Sequence, residues 1–377
     1  MDVLMERIKE AEHFRDRYFK EHPNSTLAEK SKSVRERVIP LLQDIPLEIR
    51  GSSSSSADYC LLSGTILNIC TEYEPECEKY LTKAVKLNPR LTNAWYELGE
   101  CLWKREDYEI AIDCFKKSLS VERNIKSLCS LATALRQMAL RTKDAQKAAE
   151  LRTEASRLCA EAVELDGENA TAWYALGNAY VTDFFSNGQT NPLYMKKARE
   201  AYEKALTVKD DRESLSPDLH LNYATALKFE QDFAKCLQHL FIASELDPHF
   251  FDAKERYESL CIYLKHFSEA IQRKGRLKSK RLVEFQKALS NIPSNKSTQQ
   301  QQFLSRRVYR NSAARDSDDR KEEKQLTECD FESLHEGPNE DVYIVGKVCG
   351  IVPNADTVPL LVHSRIYEYF TLKFRHC

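Results

Sequence analysis

The sequence predicts an all-α protein: a superhelical solenoid of repeated helical hairpins, followed by a short β segment. Three observations predict it. Pairs of apolar-striped helices recur in phase along most of the 377 residues; 42% apolar and 30% charged residues with only 10 Gly suit helices rather than tight turns; and composition changes abruptly after Pro293. Net charge is −2, so no global field points to nucleic acid or a membrane surface.

The clearest unit is Leu91 to Leu119. Trp95, Leu98 and Gly99 share one helix face, and Ala111, Phe115 and Ser118 follow on a second helix at intervals of four and three. A bulky and a small residue on the first helix leave room for the reverse pair on the second, and such a hairpin cannot bury its apolar face alone. By its own spacing this is a tetratricopeptide repeat, which calls for neighbours on both sides.

Taken in order, Leu4, Ile8, Ala11, Phe14 and Tyr18 place one buried stripe on a helix over Asp2 to about Lys20, suited to packing on the first repeat. A second helical run from about Thr26 to Leu42 ends at Pro40 and Pro46. Residues 1–50 are thus N-terminal helices and 51–57 a serine-rich connector.

The solenoid with its capping helices is expected over 58–292. The first repeat carries Leu61 and Gly64, then Cys77, Leu81 and Ala84, and closes at Pro89. The third is degenerate: SLCSLATALRQM lacks Trp, and RTKDAQKAAE reads as a charged insert before Ala155, Cys159 and Ala162 restore the interval. The fourth has Trp173, Leu176, Gly177 and Tyr180, an insert DFFSNGQTNPLY expected as a surface loop, then Ala198, Tyr202 and Ala205. The fifth has Tyr223, Ala224 and Leu227, then Cys236, Leu240, Ala243 and Pro248. A cap, DAKERYESLCIYLKHFSEAIQRKG, follows, with RLVEFQKALSNI as the helix that covers it. By phase Trp95, Trp173, Tyr180 and Tyr202 are core, while Tyr96 and Trp103 either line the groove or pack between helices.

Residues 293–338 read as a disordered linker, and 339–377 as two or three strands too short for a closed barrel. The twelve cysteines form no C-x-x-C pair and read as reduced core thiols. No signal-peptide core and no transmembrane length is present, so the chain is expected inside the cell.

The segments AWYELGECLWKREDYEIAIDCFKKSL, SLATALRQM, AWYALGNAYVTDFFSNGQTNP, SPDLHLNYATALKFEQDF and KGRLKSKRL, with FRDRYF near the start, resemble in order the tetratricopeptide repeat protein 5 family, also called Strap. In that family an OB-fold domain follows the solenoid. YIVGKVCGIV looks like its opening strand, but most of the barrel is absent here, which leaves a partial OB-like segment. The resemblance implies a non-catalytic peptide-binding adaptor, cytoplasmic and nuclear. It would recognise the N-terminal peptide of nascent α- and β-tubulin at the ribosome and promote tubulin mRNA decay through a recruited decay factor. The alternative role it implies is a nuclear, stress-responsive cofactor of a histone-acetyltransferase complex.

The resemblance also implies residues. Arg136 matches the family arginine that pairs with an acidic residue of the tubulin peptide; Asp218 matches the aspartate that meets its basic residue; Asp252 stands where the family has a glutamate near the peptide's start. Each is otherwise a solvated charge, and Asp218, following Pro217, is equally a helix N-cap. Asn178 and Asn222 lie on opening helices, in position to bond a peptide backbone. Lys274, Arg276, Lys278, Lys280 and Arg281 form a basic run that suits phosphate contact or a solvated linker; Lys278 and Lys280 match family lysines that touch ribosomal RNA.

A repeat protein that clamps an acidic C-terminal carboxylate needs Lys and Asn at set groove positions, where this chain has Tyr96 and Glu100. An enzyme finds no H-E-x-x-H, G-x-S-x-G or phosphate-loop motif, and the nine His are scattered. No cofactor or metal is expected.

Overall fold

The computed structural model describes residues 2–46, 56–189, 191–208, 216–272 and 278–290, with short strands between 327 and 372. The chain divides into two compact units, Met1–Tyr257 and Glu258–Cys377.

In the first unit, α1 (Asp2–Glu21) and α2 (Leu27–Val38) lead into a 3-10 turn, Ile39–Asp44. Thr26 starts α2 with a capping box: its hydroxyl accepts from the Glu29 amide, and Glu29 reaches back to its backbone. Five hairpins follow. They are α3 (Ser56–Asn68) with α4 (Pro75–Leu87), α5 (Thr92–Lys104) with α6 (Tyr108–Val121), α7 (Ile125–Arg141) with α8 (Ala145–Leu165), α9 (Ala170–Ser186) with α10 (Leu193–Thr207), and α11 (Pro217–Phe229) with α12 (Phe233–Leu246). The first helices of successive hairpins also touch one another, which puts them on the inside of the curve.

The fit inferred from the sequence is tight. A Cβ on Gly64 would stand 2.4 Å from Leu81, one on Gly99 2.5 Å from Phe115, and one on Gly177 2.5 Å from Tyr202. Each glycine on an inner helix receives the bulky residue of its partner. The third hairpin substitutes Ala132 and Cys159, both fully buried, so more bulk on one helix meets less on the other.

Three expectations need correction. RTKDAQKAAE is not an insert between helices: Asp144 caps α8 through the Gln146 and Lys147 amides, and Ala145 onward is helix, so the extra residues lengthen α8. The fourth-repeat insert is helical at both ends, 183–186 and 193–194. α9 runs through Ser186, with Phe184 buried and edge-on to Phe229 at 4.5 Å. Third, Trp95 and Trp173 are half-buried rather than core. Their indole N–H groups donate to Pro89 O (2.8 Å) and Gly167 O (2.7 Å), tying each helix to the turn before it. Tyr180 is half-buried as well, whereas Tyr202 is fully buried.

Tyr96 and Trp103 pack between helices, against Phe115 (6.2 Å) and edge-on to Tyr108 (4.7 Å). Among the described residues, eight free cysteines are buried, Cys77 and Cys236 included.

The N-terminal helices pack on the first hairpin as expected, Leu4, Ile8 and Ala11 meeting Val34, Val38, Leu41, Ile66 and Ile69. They also go further. Phe19 at the end of α1 is 1% exposed, its ring 5.1 Å from that of His249, beyond α12.

Helix α13 (Phe251–Gln272) crosses from the first unit into the second, which holds α14 (Ser279–Ser290). There, β1 (Thr327–Glu328) pairs in parallel with β2 (Val342–Tyr343), and β3 (Gly346–Ile351), β4 (Leu360–Ser364) and β5 (Phe370–Leu372) form an antiparallel sheet in that order. The serine-rich connector up to Ser55 and most of the expected linker lie outside the described residues.

Candidate peptide-binding groove

The inner helices carry a row of polar side chains. On α7, Arg136 is half-buried; its Nη2 donates to Thr133 Oγ1 (3.2 Å), and its Nε is buried without a hydrogen-bond partner. Its charge acts on Cys159, Asp183 and Tyr202. Burial pushes the Asp183 carboxyl above the usual aspartate range, and the hydroxyl of Ser156, donating at 3.0 Å, with Arg152 and Arg136, opposes that shift.

Next along the row, Asn178 Oδ1 accepts from Tyr202 Oη (2.8 Å) and from Asn222 Nδ2 (3.0 Å), and Asn222 also reaches the Tyr174 hydroxyl (3.4 Å). The two asparagines read as backbone contacts therefore first join α9, α10 and α11 to one another. Asp218 lies one turn before Asn222 on the same face of α11. It is not the cap: Ser216 is, its hydroxyl accepting from the Leu219 amide with Pro217 at the first helical position, and Asp218 is an exposed residue of the first turn. The surrounding walls, then the charge of Asp247, hold that carboxyl above its ordinary range.

Asp252 is exposed on the first turn of α13 and is paired with Arg256 (2.9 Å), which also donates to Thr225 Oγ1 of α11 (3.2 Å). Asp218, Asn222 and Thr225 thus share one face, with Arg256 over its far end. Arg256, absent from the residues read out of the sequence, offsets Asp252; its spacing of four from that aspartate was the available signal.

At the other end, α5 presents two more groups that the sequence reading did not assemble. Glu97 accepts from Asn68 Nδ2 (2.7 Å), and Glu100 from Ser130 Oγ (2.7 Å). Burial pushes both carboxyls up, Glu97 to about 7. Lys104 is occupied with the Asn68 side chain (3.0 Å) and the Cys70 carbonyl (2.8 Å). This acidic end is the reverse of a clamp for a carboxylate.

Of the basic run, Lys278, Lys280 and Arg281 are exposed at the start of α14, in the second unit; Lys274 and Arg276 lie outside the described residues. Cations at a helix N-terminus oppose its dipole, so helix stability does not account for them. Among the described residues no three His, Cys, Asp or Glu gather as metal ligands, and no helix is long and apolar enough to cross a membrane.

Comparison with known proteins agrees with the repeats and extends beyond them. The tetratricopeptide repeat model matches residues 92–125. The chain is similar to Tetratricopeptide repeat protein 5 of Homo sapiens, 36% identical over 282 residues that cover 75% of this chain and 63% of that protein. It is likewise similar to that of Bos taurus, 35% identical over 78% of this chain and 64% of the relative. The chain thus spans under two thirds of the length of these relatives. Among solved structures, the Cut9–Hcn1 hetero-tetramer of the APC/C aligns with a TM-score of 0.50 at 13% identity, over 70% of this chain and 48% of that one, a likeness of fold alone. Repeat phase and an identity of 36% along three quarters of its length converge: the chain belongs to the tetratricopeptide repeat protein 5 family.

Proposed function

We propose that the inner row is a site for a short extended peptide of alternating charge, and that its ligand is the N-terminal peptide of nascent tubulin. A protein-binding adaptor is what the repeat fold and the family support. The observation that carries the finer reading is the half-buried Arg136, whose guanidinium has its only hydrogen bond among the described residues to Thr133, within the same row as the exposed Asp218. A half-buried cation and an exposed carboxylate along one row match an acidic and a basic side chain on one extended ligand.

In this reading Arg136 meets the ligand's acidic residue and Asp218 its basic one. Asn178 and Asn222 offer amide groups to its backbone, and Asp252 lies toward its start. Lys278 and Lys280, with Arg281 and the neighbouring Lys274 and Arg276, contact ribosomal RNA phosphates. The bound adaptor recruits the factor that degrades tubulin mRNA. Titration of Met-Arg-Glu-Ile and Met-Arg-Glu-Cys peptides against the purified chain tests this; absence of binding by a helical, folded protein would overturn it.

A further inference from the structure

Helix α1 has two unlike attachments. Its first half is sunk in the apolar cluster with α2, the 3-10 turn and α3. Its last turns reach elsewhere. Arg15 lies near Glu97 of α5 and pairs with Asp16 (2.7 Å). Phe19, one turn on, rests against His249. An α-helix rises about 5.4 Å per turn. The same turn of α1 thus lies within electrostatic reach of Glu97 on the second hairpin and touches the end of the fifth, so α1, anchored on the first hairpin, spans to the far end of the array.

The far attachment is smaller, one buried ring, Phe19, with a few polar contacts around it. His249 Nε2 donates to the Ser25 carbonyl (2.7 Å), the Lys30 ammonium lies 4.6 Å over the Phe19 ring, and Lys30 is drawn toward Asp247. Asp247 in turn acts on Asp218 of the candidate row. An extended apolar anchorage at one end, and at the other one buried ring held by His249 and Lys30, describe a hinge and a latch.

We propose that α1 and α2 are a strap across the concave groove, which makes it a channel that accepts an extended chain by its free end and excludes a chain blocked at both ends unless the latch opens. This rests on the reading of the groove as a peptide site. The strap, rather than the row of charges, then sets which presentations of one sequence can bind.

The test compares three probes on the full chain: a short Met-Arg-Glu-Ile peptide, its N-acetylated form, and the same sequence embedded between two folded domains. The acetylated peptide accounts for loss of the α-amine. The embedded sequence is expected to bind at least ~10-fold more weakly than the acetylated peptide, and a latch variant, Lys30→Glu with His249→Ala, to narrow that gap to within ~3-fold. Equal binding of the two probes to the unaltered chain, or a gap unchanged in the latch variant, would overturn the strap. Removing Phe19 risks the fold, so Lys30→Glu alone serves as the milder variant. If no peptide binds at all, the peptide-site reading fails and amide exchange still decides the latch. Exchange at Phe14–Glu21 must rise at least ~10-fold in the latch variant while Leu4–Ala11 keeps its protection, and an unchanged pattern would overturn the proposal.

Discussion

Asn178 accepts, at a single oxygen, the hydroxyl of Tyr202, whose ring fills the space above Gly177. The same side chain that sets the fourth hairpin's packing therefore also fixes a groove residue. Asn178→Ala leaves the buried phenol without its acceptor and is expected to destabilise the chain by about 1–3 kcal/mol in urea denaturation. Tyr202→Phe, which removes donor and demand together, costs less.

Gly99→Ala forces a Cβ to 2.5 Å from the Phe115 ring. The expected cost is about 1–3 kcal/mol, as for other overpacked cores. Combining it with Phe115→Leu is expected to cost less than the sum of the single changes, a coupling that a double-mutant cycle on thermal or urea melts measures directly.

On the proposed reading of the row as a peptide site, Arg136→Glu and Asp218→Ala are each expected to lower the affinity for Met-Arg-Glu-Ile by ~10-fold or more in calorimetric titration, the scale of one charged hydrogen bond. Circular dichroism is expected to remain that of a helical solenoid. Two variants that bind as well as the unaltered chain would remove both residues from the site.

Burial raises the Glu97 carboxyl from the ordinary 4.5 to about 7. Between those values the folded chain keeps a proton that the unfolded chain has released, so this group's contribution to stability falls as pH rises through that window. Glu97→Gln keeps the hydrogen-bonding shape without titrating. The drop in melting temperature from pH 5 to pH 8 is therefore expected to be smaller in the variant than in the unaltered chain.

Charge reversal at Lys278 and Lys280 is expected to reduce co-sedimentation with ribosomes, most strongly at low salt, while affinity for the free peptide is retained. Loss of both would mark a folding defect instead.

Much of the solenoid was legible because its packing rule is local. Gly64 with Leu81, Gly99 with Phe115 and Gly177 with Tyr202 repeat one geometry, and the interval of four and three repeats with it. The errors arose where local pattern underdetermines place. RTKDAQKAAE looked like an insert because it is charged, yet its Ala, Lys and Glu are helix formers preceded by a capping Asp144. Trp95 shares a helical face with Leu98, but it lies at the helix start, where that face runs out to the rim and the indole finds Pro89 O. In the candidate row, Arg136 and Asp218 were named from resemblance and the Asp252–Arg256 pair was signalled by its spacing of four, whereas the Asn178–Asn222 bridge depends on neighbours that no periodicity reports.

Repeat arrays ordinarily unfold piecemeal, since each unit interacts only with the next and the ends fray first. The bond from His249 to the Ser25 carbonyl joins residues 224 apart in sequence, and with Phe19 it ties the beginning of the chain to the end of the fifth hairpin. That long-range closure turns a linear array into a loop: fraying at either end also gives up the contact with the other, so the first unit is expected to melt more cooperatively than an open array of the same repeats. In folding, a contact across 224 residues carries the largest loop-closure cost of the unit's bonds given above, so it is expected to form late.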